Sequence, residues 1–250
     1  MNNKILIFLM SFTFLGMTGL FASEEKSLCG ADNRVLSTNP KVGRSLANKF
    51  ARAGCTITMI SNRCAVSAGH CVKTFNYAEF NTPVSSSQGR IRNSKAVDTY
   101  RVDRGSITSS NGGIGNDWAV MKIKANSISG QLPGQVNGYY KVDFRSGNST
   151  VNDIVRITGY GADSNTPIGN FAQQTHIGKI LRISNNTMHY NVDTMGGNSG
   201  SSVIRESDDS IVAIHTHGGC SSNGSGSNQS TYISTNTKFK SAIRKCLAGN

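Results

Sequence analysis

Three hydrophobic rhythms follow one another along the chain. From Ile5 to Phe21 it is apolar and uncharged, with Lys4 before the run and Ala22, Glu24 and Glu25 after it. A cation, an apolar stretch, a small residue and then charge form the pattern of a cleaved secretory signal. Residues 1–22 are therefore read as a signal peptide and the mature protein as secreted, extracellular or periplasmic. Residues 23–26 are either a very short pro-segment or the start of the mature chain. A retained membrane anchor is the alternative for an apolar run of this length.

The middle of the chain behaves differently. "CTITMIS", "TYRVD", "WAVMKIK", "DIVRITGYG", "HIGKILRIS" and "SIVAIHT" are rich in β-branched residues and are separated by turns of Gly, Asn and Ser. Alternate strand residues share a face, so segments of this kind predict an all-β barrel or sandwich. In "TKFKSAIRKCLAG" the spacing changes again. Phe239, Ala242, Ile243, Cys246 and Leu247 recur at helical intervals between cations, which predicts one amphipathic helix stopped near Gly249. The turn-rich "NSISGQLPGQVNG" marks a boundary near residues 126–140. "SSNGSGSNQS", residues 221–230, reads as a mobile surface loop.

With 250 residues and 37% hydrophobic content, the chain can fill one large or two small β cores, which excludes a largely disordered protein. Its formal charge of +12 allows attraction to acidic partners. The cations are scattered and not interleaved with aromatics, so a solvated basic face is expected and not a nucleic-acid site. Six cysteines suit an oxidising compartment. Asn148, Asn185, Asn223 and Asn228 lie in glycosylation sequons, which matter only in a eukaryotic source.

Candidate chemistry sits in three places. "CAVSAGHC" puts His70 at the end of an apolar strand, "GNDWAVMKI" puts Asp117 at the mouth of another, and "MGGNSGS" surrounds Ser199 with glycines. Singly, each reads as a structural histidine, a turn aspartate or a loop serine. Jointly, in this order, the three motifs resemble those of the chymotrypsin-like serine endopeptidases, and the resemblance runs from about Cys29 onward. It implies two six-stranded antiparallel β-barrels, one over residues 23–130 holding His70 and Asp117, the other over 131–250 holding Ser199, with the terminal helix packed on the second. It also implies peptide-bond hydrolysis through an acyl-enzyme, without cofactor or metal, by a monomer acting on protein or peptide substrates and on neither nucleic acid nor membrane. Ser199 would be the nucleophile, His70 its base and Asp117 the carboxylate that fixes the imidazole. The amides of Gly197 and Ser199 would form the oxyanion hole.

Asn198 stands where trypsin-type enzymes carry the aspartate that pairs with a newly cut amino terminus. Together with "GGNSGS", "CGADNRV" and "AIHTHGG", it resembles the glutamyl endopeptidase branch. That branch implies a pocket for an acidic side chain at Thr194, His215 and Gly218, with the mature terminal amine as a possible further partner. The rival assignment is Asp193, six residues before Ser199, binding Lys or Arg. Cys55 and Cys71 match the family's bridge beside the catalytic histidine; Cys29, Cys64, Cys220 and Cys246 have three possible pairings, with Cys64 alternatively a buried free thiol. His215, His217 and Cys220 could chelate a metal but lack a fourth ligand at suitable spacing. His176 and His189 receive no role. Outside this enzyme reading, a catalytically silent secreted binding homologue and a basic binder of anionic polymers stay open.

Overall fold

The computed structural model describes residues 27–249, so the readings of 1–22 and 23–26 lie outside the described residues. After the short β1 (Val35–Leu36), six strands close a first barrel: β2 (Val42–Leu46), β3 (Thr56–Met59), β4 (Cys64–Ser67), β5 (Tyr77–Glu79), β6 (Thr99–Asn111) and β7 (Asp117–Ile123), in the order β2-β3-β4-β7-β6-β5. Every neighbouring pair is antiparallel. Strand β7 shows why the sequence folds this way. Ala119, Met121 and Ile123 point into the barrel with Ile57, Met59, Phe75 and Phe80. The alternate residues Trp118 and Val120 point outward into a second apolar cluster that includes Ile204, Ile211, Ile214 and Ile233. Both faces are buried, so the barrels share a core along their interface.

A connection containing the short helix α1 (Pro133–Asn137) leads to β8 (Lys141–Val142), β9 (Ile154–Gly159), β10 (Gln174–Ser184), β11 (Thr187–Tyr190), β12 (Ser202–Arg205), β13 (Ser210–His217) and β14 (Asn228–Tyr232). Strands β9-β10-β11-β14-β13-β12 form the second six-stranded ring, closed by β12 against β9. β1 extends the sheet from β10, and β8 joins β13 in parallel.

The chain ends in α2 (Thr237–Ala248), capped by Asn236, whose Oδ1 accepts from Phe239 N at 3.0 Å. The resemblance put this helix on the second barrel; instead it crosses the first. Phe239 stacks on Trp118 at 5.2 Å between ring centroids, and Cys246 is bonded to Cys64 of β4. The cause is the outward face of β4 and β7, where Cys64, Val66, Trp118 and Val120 need cover that the stripe Phe239, Ile243 and Cys246 supplies. Three disulfides are present, Cys29–Cys220, Cys55–Cys71 and Cys64–Cys246, so Cys64 is not a free thiol. No helix among the described residues is long and apolar enough to cross a membrane.

Residues 221–230 do not form one mobile loop. The last three belong to β14, where Asn228 and Ser230 are fully buried. Asn228 Nδ2 donates to Ser27 O, Val192 O and Thr194 Oγ1. Its Oδ1 accepts from the amides of Gly219 and Cys220. The sequon at Asn228 is therefore closed to a glycan in the folded chain.

Candidate active site

β4 ends at Ser67 and the chain turns through a 3-10 segment, Gly69–Thr74, which leaves His70 partly exposed while the Cys55–Cys71 bridge holds the turn to the start of β3. Asp117 opens β7 and is wholly buried. Its Oδ2 lies 2.5 Å from His70 Nδ1, and its Oδ1 accepts from His70 N at 3.0 Å. One carboxylate thus fixes both the backbone and the ring of the histidine. With Nδ1–H bound to Asp117, Nε2 is left as the basic nitrogen. Thr231 of β14 secures the Asp117 backbone from the other barrel: its Oγ1 accepts from Asp117 N at 3.1 Å and donates to Asp117 O at 2.7 Å.

The turn before β12 carries Ser199. Thr56 of β3 anchors it from across the barrel interface, donating through N to Ser199 O at 2.9 Å and through Oγ1 to Gly197 O at 3.0 Å. Cys71, beside His70, brings its sulfur to 3.9 Å from Ser199 O. The serine backbone and the imidazole turn are therefore neighbours. No hydrogen bond joins Ser199 Oγ to His70 among the described residues; a nucleophile–base contact of this kind need only tighten when substrate is in place.

The amides around Ser199 divide into two groups. Those of Asn198, Gly200 and Ser201 donate to Met195 O, His215 O and Asn198 O. Those of Gly197 and Ser199 have no acceptor among the described residues. Two backbone donors on either side of one residue, left unpaired where the amides of Met195, Asn198, Gly200 and Ser201 are bonded, can stabilise an oxyanion. Gly197 takes φ +103°, and a Cβ there would fall 2.3 Å from Tyr160 O, so only glycine fits. Asn198 is buried, and its Oδ1 accepts from Met195 N at 3.0 Å, closing the turn internally without an ion pair.

The pocket residues separate clearly. Thr194 is buried at the first described residue: its N donates to Ser27 O at 3.4 Å, its Oγ1 lies 3.1 Å from Ser27 Oγ, and Gly218 packs against Ser27, where a Cβ would approach Ser27 Cβ to 2.7 Å. His215 is buried with its Nδ1 2.7 Å from the Tyr190 hydroxyl. Burial, reinforced by the nearby imidazoles of His217 and His70, pushes its pKa down to about 3. His215 is thus neutral at ordinary pH, and in the tautomer in which it accepts from Tyr190 at Nδ1 its hydrogen is on Nε2. Asp193 is otherwise engaged. Its Oδ1 accepts from Cys29 N at 2.7 Å and its Oδ2 from Asn33 N at 2.9 Å. His176 Nδ1, which accepts from Asp193 N at 2.8 Å, gives this histidine a place that the sequence did not indicate; burial lowers its pKa despite the adjacent Asp193 and Asp32 carboxylates.

His189 sits between Arg182 and Ser227. Cys55, His70 and Cys71 bring potential metal-ligand atoms within 4.8 Å of one another, but both sulfurs belong to one disulfide. Cys220 is likewise bonded to Cys29, so it offers no thiolate beside His215 and His217. Sequence reasoning passed over Thr56, Thr231, Tyr190 and Asn228. The first two are buried threonines in strands, a placement with no sequence signature. Asn228 was hidden by the low-complexity run around it.

Two closed six-stranded β-barrels, with an imidazole–carboxylate pair on the first and a glycine-bounded serine on the second, are the architecture of the chymotrypsin-like serine proteases. A family model described as Trypsin matches residues 37–243, and the chain belongs to that family. It is 27% identical over 205 residues to the glutamyl endopeptidase of Bacillus licheniformis, covering 77% of this chain and 61% of that protein. It is 28% identical over 185 residues to the extracellular metalloprotease of Bacillus subtilis, covering 70% of this chain and 55% of that protein. The chain thus spans between about half and three fifths of these curated relatives. A solved structure of a Glu endopeptidase in complex with MPD shares the fold at TM-score 0.66 and 21% identity, covering 89% of this chain and 99% of that one. The thermostable serine protease AL20 does so at TM-score 0.62 and 13% identity, covering 85% and 99%.

Proposed function

We propose that the protein is a secreted serine endopeptidase that cleaves peptide bonds after glutamate or aspartate through an acyl-enzyme on Ser199. In this reading His70 Nε2 takes the Ser199 proton as the hydroxyl attacks the scissile carbonyl, and Asp117 stabilises the imidazolium that results. The amides of Gly197 and Ser199 receive the oxyanion. His70 then returns the proton to the leaving amine, and water releases the acyl group by the same route. The observation that carries the catalytic part is the His70–Asp117 pair, with ring and backbone held by one buried carboxylate, beside a serine whose own amide, like that of Gly197, is unpaired.

The acidic preference is supported by charge. A neutral buried His215 with its hydrogen on Nε2 can donate to a substrate carboxylate, and the buried Thr194 would be its neighbour in that pocket. Asp193, the only rival anchor for Lys or Arg, already holds the segment from Cys29 to Asn33. The similarity to the glutamyl endopeptidase of B. licheniformis points the same way. Secretion is supported by the amino-terminal sequence pattern, three disulfides and a relative described as an extracellular metalloprotease. The anchoring of Ser27 against Thr194 makes the position of the mature amino terminus relevant to this pocket. Cleavage profiling on a peptide library tests the proposal: cuts after Glu and Asp are expected, and cuts mainly after Lys or Arg would overturn the pocket assignment.

A further inference from the structure

Arg44 lies in the middle of β2 and is only 1% exposed. A guanidinium at that depth needs acceptors for its donors, because an unpaired charge in a core is strongly destabilising. Three groups supply them. Nε donates to Glu79 Oε1 at 2.7 Å, Nη2 donates to Arg92 O at 2.8 Å, and Nη1 donates to Phe171 O at 2.7 Å. Glu79 is equally buried and also accepts from Ser94 N at 2.9 Å. Glu79 and Arg92 belong to the first barrel and its loop. Phe171 belongs to the second, in the loop that follows β9.

That loop forms one wall of the Ser199 turn. Ala162 N donates to Gly196 O at 2.8 Å, and Arg34 Nη2 donates to Ala162 O at 3.0 Å. Phe171 has φ +49°, a left-handed conformation that a bulky side chain keeps only where its surroundings impose it. Its N is bonded to Gly161 O and its carbonyl to Arg44, so both ends of the residue are fixed. Its ring carbons Cε1 and Cδ1 lie 3.0 and 3.2 Å from the point where a Cβ on Gly197 would sit, and Tyr160 O bounds the same point at 2.3 Å. Gly197 is therefore confined between a carbonyl and an aromatic ring whose backbone is gripped from the other barrel.

We propose that Arg44 is a positioning residue for the oxyanion hole: with Glu79 it fixes the Phe171 carbonyl, and the Phe171 ring holds Gly197 so that its amide stays turned toward the reacting carbonyl. The proposal rests on the serine-peptidase reading above. It assigns the buried ion pair a function across the barrel interface, where a purely structural pair would stabilise the first barrel alone.

Two variants separate these roles. Phe171→Gly removes the ring while keeping a residue that adopts positive φ freely and still offers its carbonyl to Arg44. The double variant Arg44→Met with Glu79→Gln removes the clamp without stranding a charge. With a peptide substrate carrying glutamate before the scissile bond, kcat should fall about 10- to 100-fold both in Phe171→Gly and in the double variant, with KM changed by less than about twofold. The pH midpoint of kcat/KM should not move, because His70 and Asp117 are untouched. Unchanged kcat with only a lower melting temperature, or a loss confined to KM, would overturn the proposal. Should the double variant not fold, Arg44→Lys, which keeps the charge beside Glu79 but gives up the Nη1 bond to Phe171 O, takes its place with the same expected loss of kcat, and an unchanged kcat in it overturns the role of Arg44. If the wild-type protein hydrolyses no peptide, the serine-peptidase reading fails; amide hydrogen exchange at Gly197 then reads the positioning directly. Exchange faster by about tenfold in Phe171→Gly supports the clamp, and equal exchange overturns it.

Discussion

Replacing His215 by leucine removes the hydrogen-bond donor proposed for the substrate carboxylate and keeps a side chain of similar bulk. The fold should tolerate the change for a reason visible in the structure. Tyr190, which loses His215 Nδ1, has a second acceptor in Gln229 O at 3.3 Å, and the backbone bonds of residue 215 to Ser201 and Gly200 do not involve the side chain. A substrate carboxylate left without its donor costs about 2–5 kcal/mol, or roughly 30- to 5,000-fold in kcat/KM. Matched peptides with Glu or Gln before the scissile bond provide the assay: the Glu peptide should lose that factor, the Gln peptide less than about threefold. Acidity sharpens the test. With the His215 pKa near 3, the Glu-to-Gln ratio in the wild type should stay level from pH 8 to about 5.5 and decline only as the substrate carboxylate protonates near pH 4.3. Equal loss on both peptides in His215→Leu, or a wild-type ratio that climbs below pH 6.5, would refute the neutral-donor argument.

Other consequences can be checked with similar economy. Asp117→Asn keeps the packing but presents the wrong imidazole nitrogen to Ser199, so kcat should fall by about four orders of magnitude with KM little changed, measured by active-site-titrated kinetics. Cys64→Ala with Cys246→Ala opens a link spanning 182 residues and anchoring α2, which should lower denaturant stability by about 4–5 kcal/mol at the chain-entropy limit. His215 also sets a pH trend for folding. Its folded pKa lies below its unfolded value near 6.5, so the stability it contributes is present above pH 6.5 and is lost as the pH falls toward 3, an acid limb that His215→Leu should flatten in urea titrations.

The sequence carried the strands and the chemistry better than the contacts between them. The segments quoted around residues 56, 100, 118, 155, 180 and 212 all became strands, because β-branched residues between turn formers suit a pleated, half-buried surface. The terminal helix was legible in its 3.6-residue stripe, but its partner was not, since either barrel offered an apolar face and only the outward side of β4 and β7 lacked cover. The Cys55–Cys71 bridge was legible through the family resemblance, but the pairing of the other four cysteines was open for the same reason: spacing along the chain does not encode proximity in space. Strand β2 was passed over because Arg44 breaks the apolar pattern, although Glu79, Arg92 and Phe171 satisfy its donors. β14 was hidden in a glycine- and serine-rich run, since polar residues that bury their hydrogen bonds, as Asn228 does, look like loop residues in one dimension.

The central claim is that Ser199 is a nucleophile activated by His70. A fluorophosphonate probe applied to the purified protein, followed by mass mapping of the modified peptide, tests it most directly. A single adduct on Ser199 is expected, forming at least about a hundredfold more slowly when His70 is replaced by alanine. A folded protein that stays unlabelled, or that is labelled at the same rate without His70, would contradict it.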